Sequence, residues 1–330
     1  MAAIGTDLNR AVAHLEHDEL VAIPTETVYG LAGNAYSEKA VVNIFSTKKR
    51  PSFDPLIVHT TSLEAAREFL LEIPDTAYAL AEKFWPGPLT LILPKNNRIP
   101  DLVSAGLNTV GVRVPRHPLS LQLLEKLHFP LAAPSANPFS YISPTTALHV
   151  QEQLGEQIPY ILDGGPCEVG VESTILGFEG DKVIVHRLGG MSLEELRQHV
   201  GTLEVKPYST SNPVAPGQLE SHYAPRKPLY LGSIQELLQQ HGKTDIGVLS
   251  FKDIYPEATQ YTLSASGDLV EAARNLFKAL RELDNKPVKL IIAEEVPDYG
   301  LGRAINDRLR RASHKMGQDE AYNFDVSSEA

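Results

Sequence analysis

Residues 37–58 read SEKAVVNIFSTKKRPSFDPLIV, and this stretch passes from a helical pattern to a strand pattern. After Ser37, apolar side chains recur at helical spacing, which predicts a helix that ends near Lys48. Residues 55–58 form a short apolar run, which predicts a buried strand. A helix that leads directly into a buried strand is typical of proteins in which helices cover a sheet.

The same two patterns recur on both sides of this stretch. Strands are predicted at residues 20–23, 89–93, 110–114, 160–163, 171–176 and 183–186. Helices are predicted to begin at Asp7, at a capping box formed by Thr61 and Glu64, and after Ser192. Because strands and helices interleave without strict βαβ alternation, we predict an α/β fold with a mixed sheet, not a doubly wound one.

Composition changes after residue 205. Residues 206–228 contain five prolines and almost no aliphatic side chains, which indicates a stiffened linker. Beyond the linker, strands are predicted at 229–231, 246–250 and 288–293, and helices at 234–238 and 268–283. We therefore predict a first domain at 1–205, a proline-rich linker at 206–228 and a smaller α/β domain at 229–330.

Bulk composition narrows the class of protein. The 330 residues are 42% hydrophobic and 22% charged, which is ordinary for a soluble globular protein. A formal net charge of -11 argues against nucleic-acid binding through a broadly basic surface. The single cysteine, Cys167, excludes an internal disulfide and a cysteine-cluster zinc site. Because residues 1–10 are polar and no apolar run approaches membrane-spanning length, we expect a cytoplasmic protein.

Several standard motifs are absent from the sequence. It contains no Walker A loop, no Gly-x-Ser-x-Gly elbow and no His-Glu-x-x-His. Residues 300–302, GLG, lack the third glycine of a dinucleotide-binding fingerprint. His14 and His17 could form half of a zinc site, but solvated helix histidines are the simpler interpretation, because no third ligand is nearby in sequence.

Polar side chains instead follow or interrupt the predicted strands. Residues 24–30, PTETVYG, come after the first strand and offer hydroxyls, a carboxylate and a phenol. Loops after strands are where α/β sheets place ligands, so we interpret this loop as functional rather than as a solvated turn. Arg113 lies within the strand at 110–114, where it either faces water or points towards a carboxylate or phosphate.

Two further segments supply positive charge and neutral donors. Lys48, Lys49 and Arg50 could simply be cations that favour a helix C-terminus, but they also suit an anion site in an acidic protein. Neighbours on a helix point about 100° apart, so at most two of the three should face one site. Ser135 and Asn137, in the APSAN loop, are either turn formers or further ligands. Together these segments predict a polyphosphate site.

Four of these segments in combination resemble the YrdC-like threonylcarbamoyl-AMP synthases. They are PTETVYGL at 24–31, KKRP at 48–51, PLIVH at 55–59 and APSAN at 133–137. The pairs Lys48/Arg50 and Ser135/Asn137 match the signature of that family. The resemblance spans nearly the whole chain, because the two-domain form is matched by GVEST at 170–174, SHYAP at 221–225 and GRAINDRL at 302–309.

The resemblance implies a fold and an activity. The fold is a YrdC-like catalytic domain, a twisted open mixed sheet with a cationic concave basin, joined to a smaller Rossmann-like α/β domain. The activity is that of an L-threonylcarbamoyladenylate synthase, a nucleotidyltransferase that converts L-threonine, bicarbonate or CO2, and ATP into threonylcarbamoyl-AMP and pyrophosphate. That product would pass to a tRNA threonylcarbamoyl-transferase, which forms N6-threonylcarbamoyladenosine (t6A) in tRNAs reading ANN codons.

The resemblance also implies a role for individual residues. L-Threonine or its carbamate would be held by Thr27, His59, Arg113, Ala133 and Ser173, with Arg113 facing the carboxylate. ATP would be held by Lys48, Arg50, Asp54, Thr109, Ser135, Asn137, Ser143 and Arg187. The expected catalytic residues are Lys48, Arg50, Ser135 and Asn137. His222 and Tyr223, from the linker, would close over the basin as a lid.

This chemistry needs aligned charges more than a nucleophilic side chain. A carbamate oxygen attacks the α-phosphorus and pyrophosphate leaves, so two anions must be neutralised and brought together. The sequence has no dedicated carboxylate cage, and Mg2+ is therefore expected to arrive with ATP. A lid would protect the carbamate and the mixed anhydride from water.

Two other classes of function compete with this one. YrdC-like domains have been linked to RNA, but the charge of -11 and the lack of aromatic-basic stripes argue against an RNA-binding module. Carbamoyl transfer, as in hydrogenase maturation, would require zinc-finger cysteines, and the chain has one cysteine. The expected partners are therefore ATP, L-threonine and bicarbonate, with no membrane and no stable nucleic-acid binding.

Overall fold

The computed structural model describes residues 1–180, 182–206, 215, 223–242 and 244–313. Within these ranges the chain forms one sheet of eleven strands and one of four. The strands of the large sheet are β1 (Ala3–Gly5), β2 (Val21–Ile23), β3 (Gly30–Asn34), β4 (Ile57–His59), β5 (Leu89–Pro94), β6 (Thr109–Arg113), β7 (Leu131–Ala132), β8 (Tyr160–Leu162), β9 (Thr174–Glu179), β10 (Lys182–Arg187) and β11 (Thr202–Val205).

The large sheet is mixed, as predicted. Its strand order is β1-β8-β2-β3-β7-β4-β6-β5-β9-β10-β11, and β4 pairs with β6 in parallel whereas β5 pairs with β6 antiparallel. The helices of this part of the chain are α1 (Leu8–Glu16), α2 (Glu38–Lys48), α3 (Leu63–Ala66), α4 (Asp75–Phe84), α5 (Pro118–Lys126), α6 (Ala147–Leu154) and α7 (Leu193–Arg197). Among the described residues, no helix combines the length and apolar character needed to cross a bilayer.

The sheet is buried on both faces because successive side chains of its strands enter different cores. In β2, Val21 and Ile23 pack into a cluster with α1 and α5, whereas Ala22 packs into the main core. Apolar residues on both faces explain why this strand reads as a continuous apolar run and not as an alternating pattern.

The small sheet is entirely parallel. Its strands are β12 (Leu229–Leu231), β13 (Ile246–Ser250), β14 (Thr259–Thr262) and β15 (Leu290–Ala293), in the order β12-β15-β13-β14. Its helices are α8 (Ile234–His241), α9 (Leu269–Asn285) and α10 (Gly302–Ser313). The predicted apolar stripe of α9 is buried through Leu269, Ala272, Leu276 and Leu280. The domain boundaries stay a prediction, because residues 207–214 and 216–222 lie outside the described ranges.

Some elements differ from their predicted positions. The N-cap of α3 is Ser62 and not Thr61, because Ser62 Oγ accepts a hydrogen bond from the Ala65 amide at 3.0 Å. The strand predicted at 171–176 begins only at Thr174, since the preceding residues turn into the cavity described below. β3 was not predicted, because its two glycines weaken the sequence pattern of a strand. A Cβ at Gly33 would lie 3.0 Å from Leu20 Cδ2, so glycine permits close packing there.

The two sheets are joined by a shared apolar core and by hydrogen bonds. Val28 and Val171 from the first part of the chain pack in one cluster with Phe277 and Ile305 from the second. Arg274 Nε donates to the Glu168 carbonyl at 2.7 Å, and Arg281 Nε, also in α9, donates to the Ser143 carbonyl at 3.3 Å. The loop that contains residue 168 therefore packs directly on α9.

Gly170 is required by this packing. Its φ is +80°, and a Cβ there would lie 2.4 Å from Arg274 Cα in α9. Gly165 has almost the same φ, +79°, but nothing lies within 4 Å of the position of its Cβ. Both positions favour glycine because φ is positive, and at Gly170 a side chain would also clash with α9.

We expect Gly170→Ala to destabilise the protein more than Gly165→Ala. The latter should cost about 1–2 kcal/mol of unfolding free energy, the penalty for a left-handed non-glycine residue. Gly170→Ala should cost about 1–3 kcal/mol more, because α9 must move away from the loop. Urea unfolding of the two variants measures the difference, and equal losses would contradict the steric argument.

Candidate active site

A cavity of about 580 Å³, its open mouth included, lies beside the large sheet. Nine of the predicted site residues line it: Thr27, Arg50, His59, Arg113, Ala133, Ser135, Ser173, Arg187 and Tyr223. These residues are spread over nearly 200 positions of sequence, and the fold brings their side chains to one hollow. The predicted convergence of Arg50, Arg113 and Ser135 on a common cavity is confirmed.

Strand register explains how the two halves of the site meet. β4 and β6 are parallel, and His59 lies opposite Arg113, so both strands end at the same edge of the sheet. An isolated bridge between Gly30 and Ser135 joins the start of β3 to the APSAN loop. A Cβ at Gly30 would lie 3.2 Å from Ala133 Cβ, so glycine allows the two loops to approach.

Arg113 points inward, which excludes the alternative that it faces water. It is buried, and its Nη2 forms an ion pair with Glu26 Oε1 at 2.7 Å. Nη1 donates to Thr27 Oγ1 at 2.9 Å, and Nε donates to the Gly87 carbonyl at 3.2 Å. The guanidinium is therefore held in one orientation beside the cavity, as recognition of a carboxylate requires.

Arg50 is fixed in a similar way by the residues that follow it. Its Nη2 lies 3.0 Å from Asp54 Oδ1, and its Nε donates to the Asp54 carbonyl at 3.0 Å. Burial lowers the pKa of Arg50 and raises that of Asp54, and the attraction between the two groups opposes both shifts. Arg50 lines the cavity, whereas Asp54 is the counter-ion beside it.

Lys48 and Lys49 behave differently although they are adjacent. Lys48 is 1% exposed, and its Nζ donates to the carbonyls of Ser135 at 2.6 Å and Asn137 at 2.5 Å. Burial holds the pKa of Lys48 well below its usual value. Lys49 has φ +51° and is exposed. As predicted, at most two of the three cations face the site, but the ammonium of Lys48 holds the APSAN loop and does not line the cavity.

Ser173 and Arg187, which also line the cavity, are joined by hydrogen bonds. Arg187 donates from Nε to the Ser173 carbonyl at 3.0 Å and from Nη2 to its Oγ at 2.9 Å. Ser173 Oγ also lies 2.8 Å from Thr90 Oγ1. Burial lowers the pKa of Arg187 to about 10. Three arginines, Arg50 among them, thus line one hollow of an acidic chain.

Two family models match most of the sequence. The model described as "Telomere recombination" matches residues 13–189, and that described as "Threonylcarbamoyl-AMP synthase, C-terminal domain" matches residues 191–314. A threonylcarbamoyl-AMP synthase of Pyrococcus abyssi is 42% identical over 320 residues, which cover 92% of this chain and 93% of the relative. The chain belongs to the threonylcarbamoyl-AMP synthase family. A synthase of Bacillus subtilis is also 42% identical, over 92% of each chain.

Solved structures agree with this assignment. A crystal structure of P. abyssi Sua5 complexed with L-threonine has a TM-score of 0.88 and 39% identity, and the match covers 95% of this chain and 97% of that one. Escherichia coli YciO, with a TM-score of 0.52 and 21% identity, shares the fold over 57% of this chain. The predicted family, the YrdC-like fold with a second α/β domain, and the class of enzyme are confirmed.

Five predicted site residues of the synthase do not line the cavity: Lys48, Asp54, Thr109, Asn137 and Ser143. Thr109 begins β6 and Arg113 ends it, so the strand itself separates them by about 13 Å. The ATP contact predicted for Thr109 therefore stays a prediction, at a position away from the Arg113 end of the strand. Asn137 Nδ2 donates to the carbonyls of Pro138 at 2.8 Å and Tyr141 at 2.9 Å, which makes it a support of its own loop.

The predicted lid lies only partly within the described residues. His222 falls outside them. Tyr223 lines the cavity and is 1% exposed, with φ +65°. Its ring stacks on Phe277 of α9 at 5.6 Å between centroids. The end of the linker is therefore packed between the cavity and the second domain.

Sequence reasoning missed the carboxylates that organise the site. Glu26 was noted only as one polar group of its loop, yet it pairs with Arg113. Glu172 lines the cavity and pairs with Arg308 of α10 at 3.0 Å. Both glutamates lie in segments that resemble the family, which was the available signal, but neither burial nor partner can be read from sequence.

His59 is the histidine that lines the cavity among the described residues. It is buried, and its Nδ1 has no hydrogen-bond partner among the described residues. Burial, with a smaller contribution from Arg113, lowers its pKa to about 3. The ring is therefore neutral near pH 7 and can donate to or accept from a bound ligand.

We expect Lys48→Met to destabilise the protein by about 2 kcal/mol, because two loop carbonyls lose their hydrogen-bond donor. Methionine keeps most of the apolar stem, so packing changes little. Lys49→Asn is the matched control, because the residue is exposed and asparagine tolerates a left-handed backbone, and its effect should stay within about 0.5 kcal/mol. Chemical denaturation compares the two, and similar losses would contradict the loop-holding role of Lys48.

The low pKa of His59 predicts a pH-dependent stability. Between about 6.5, the value of an unperturbed histidine, and about 3, the unfolded chain binds a proton that the folded chain does not. The free energy of unfolding should therefore fall with decreasing pH in this window, with a slope from this residue of up to about 1.4 kcal/mol per pH unit.

His59→Asn should remove that slope, whereas His128→Asn, at an exposed position, should keep it. Unfolding curves measured from pH 7 to pH 4 provide the comparison. Parallel stability profiles for wild type and His59→Asn would show that the ring is not held neutral.

Proposed function

We propose that this chain condenses L-threonine, bicarbonate or CO2, and ATP into threonylcarbamoyl-AMP and pyrophosphate, as the names of its relatives indicate. The observation that carries the proposal is the convergence of Arg50, Arg113 and Arg187 on one cavity in a chain of net charge -11. Two anions that repel each other in water can be brought together only where fixed positive charge offsets their repulsion.

L-Threonine would bind at the Arg113 end of the cavity. The guanidinium is already oriented by Glu26 and Thr27, so little ordering is needed when the amino-acid carboxylate arrives. His59, whose Nδ1 has no hydrogen-bond partner among the described residues, and Ser173 line the same cavity. A relative has been crystallised with L-threonine, which supports the choice of amino acid.

The triphosphate would bind between Arg50, Ser135 and Arg187. Charge-assisted hydrogen bonds from the two arginines would neutralise the phosphates, and each contributes roughly 1.5–3 kcal/mol. Lys48 would act indirectly, by holding the carbonyls of the APSAN loop. A direct contact between Lys48 and ATP remains a prediction from the resemblance, as do the ATP contacts of Asp54, Thr109, Asn137 and Ser143.

The reaction needs no covalent intermediate with the protein. The threonine amine takes up CO2 and loses a proton, a carbamate oxygen then bonds to the α-phosphorus, and the bond to the β-phosphate oxygen breaks to release pyrophosphate. Mg2+ would come with the nucleotide, because no group of three or more His, Cys, Asp or Glu side chains in the described residues could hold a metal ion. It would add charge to the phosphates.

The linker would act as the lid, with Tyr223 on the cavity wall and His222 beside it in sequence. Closure would exclude water from a carbamate that decomposes and an anhydride that hydrolyses. The product would serve t6A formation in tRNA, and we place the reaction in the cytoplasm, where tRNA and ATP are abundant and a single free cysteine is stable.

Pyrophosphate release from ATP, with threonine and bicarbonate omitted in turn, tests the proposal. Omission of either should abolish turnover. Arg50→Ala and Arg113→Ala should each lower kcat/KM by about a hundredfold or more, because each removes one partner of a buried charge cluster. Lys49→Gln, an exposed neighbour of Arg50, should retain activity.

Two results would contradict the proposal. The first is pyrophosphate release that does not depend on threonine. The second is tight tRNA binding with a steep dependence on salt and no turnover, which would favour the RNA-binding alternative.

A further inference from the structure

Arg308 carries a charge from the second domain to the wall of the active site. It lies in α10 and is fully buried. Its Nε and Nη2 both donate to Glu172 Oε2 at 3.0 Å, and its Nη1 donates to the Leu188 carbonyl at 2.6 Å. The Tyr223 ring lies 5.1 Å from the guanidinium carbon. Arg308 thus touches two residues of the cavity without lining it.

Glu172 is the residue through which Arg308 could affect the cavity. It lines the cavity and is 5% exposed. Its Oε1 accepts from Ser143 Oγ at 2.6 Å, and its carbonyl accepts from the Gly190 amide at 2.8 Å. Burial alone would raise its pKa, but Arg308 and then Arg187 hold it below the usual value, so the group is ionised near pH 7.

Two arginines therefore attract one carboxylate. Arg308 makes the direct contact, while Arg187 donates two hydrogen bonds to Ser173, the next residue along the chain. Glu172 still acts electrostatically on Arg187. If Arg308 lost its charge, the ionised Glu172 would be left buried beside Arg187, and an ion pair between them would be the nearest compensation.

We propose that Arg308 is a positioning residue for ATP binding. By neutralising Glu172, it leaves Arg187 bonded to Ser173, with its charge directed into the cavity. The inference rests on the proposed function, because ATP supplies the phosphates that Arg187 would meet. The second domain thereby contributes to nucleotide affinity without contacting the nucleotide.

If Arg308 only stabilised the fold, its loss would change the melting temperature and not the affinity for ATP. A buried ion pair is weak evidence for stability, because the cost of desolvation offsets the attraction. Arg311 offers a matched comparison, since it lies in the same helix, is 2% exposed and pairs with Asp307 at 3.1 Å. Arg308 also pairs with Asp307, at 2.9 Å, so both arginines share that partner.

Calorimetric titration with ATP tests the proposal on the full chain. Arg308→Gln should weaken ATP binding on the order of tenfold or more, because one partner of a buried charge pair is lost. The double variant Arg308→Gln/Glu172→Gln should recover to within about threefold of wild type, since the uncompensated carboxylate is gone. Arg311→Gln should also stay within about threefold. Melting temperatures of all variants separate affinity from folding.

Several results would overturn the proposal. One is unchanged ATP affinity in Arg308→Gln, and another is a double variant as weak as the single one. If Arg308→Gln alone does not fold, the double variant is compared with Glu172→Gln. The two should then bind ATP equally, because Glu172 is the route by which Arg308 acts, and a difference of tenfold would refute that route.

The outcome for Arg308 is distinguishable from that for the proposed function. A wild-type protein that binds ATP but releases no threonine-dependent pyrophosphate would end the proposed function, and the titrations would still decide the role of Arg308. If the wild type binds no ATP, the role proposed for Arg308 is refuted together with the nucleotide site.

Discussion

The structure depends on the compensation of guanidinium groups that have been removed from water. Arg50, Arg113 and Arg308 each face a carboxylate within 3.0 Å, and every one of these groups is buried. An isolated buried ion costs several kcal/mol, so none of these side chains could occupy its place alone. The cationic hollow exists because Asp54, Glu26 and Glu172 lie beside it.

The need for these counter-ions accounts for the positions of acidic residues in the sequence around the site. Asp54 follows Arg50 by one helical turn's length of sequence, and Glu26 lies on the loop that also presents Thr27. Arg50, Arg113 and their counter-ions all lie within the first 120 residues. The partner of Glu172 comes from α10, about 136 positions further along the chain. The charge of one carboxylate on the cavity wall is therefore compensated from the second domain.

Local patterns allowed much of the fold to be predicted. Several elements are determined by residues that lie close together in sequence, and these could be predicted. They are the helix caps at Asp7 and Ser192, the apolar stripe of α9 and the strand at 246–250. The start of β9 and the existence of β3 were missed, because glycines and polar residues there serve packing against distant elements.

The sequence predicted which residues belong to the site, but not which of them line the cavity and which hold its loops. Motifs placed Lys48, Arg50, Ser135 and Asn137 together, yet only burial and contacts separate the arginine that lines the cavity from the lysine that holds a loop. Thr109 was assigned by resemblance, and strand geometry puts it at the far end of β6. Tertiary partners such as Glu26 for Arg113 have no local signature.

The contact between Arg308 and Glu172 also has an evolutionary consequence. Loss of Arg308 would leave Glu172 buried without its ion-pair partner, so a change at position 308 is tolerated only together with one at position 172. Recombination that exchanged the second domain for a foreign one would break this match even if the two folds were compatible. The two domains are therefore expected to evolve together at this contact.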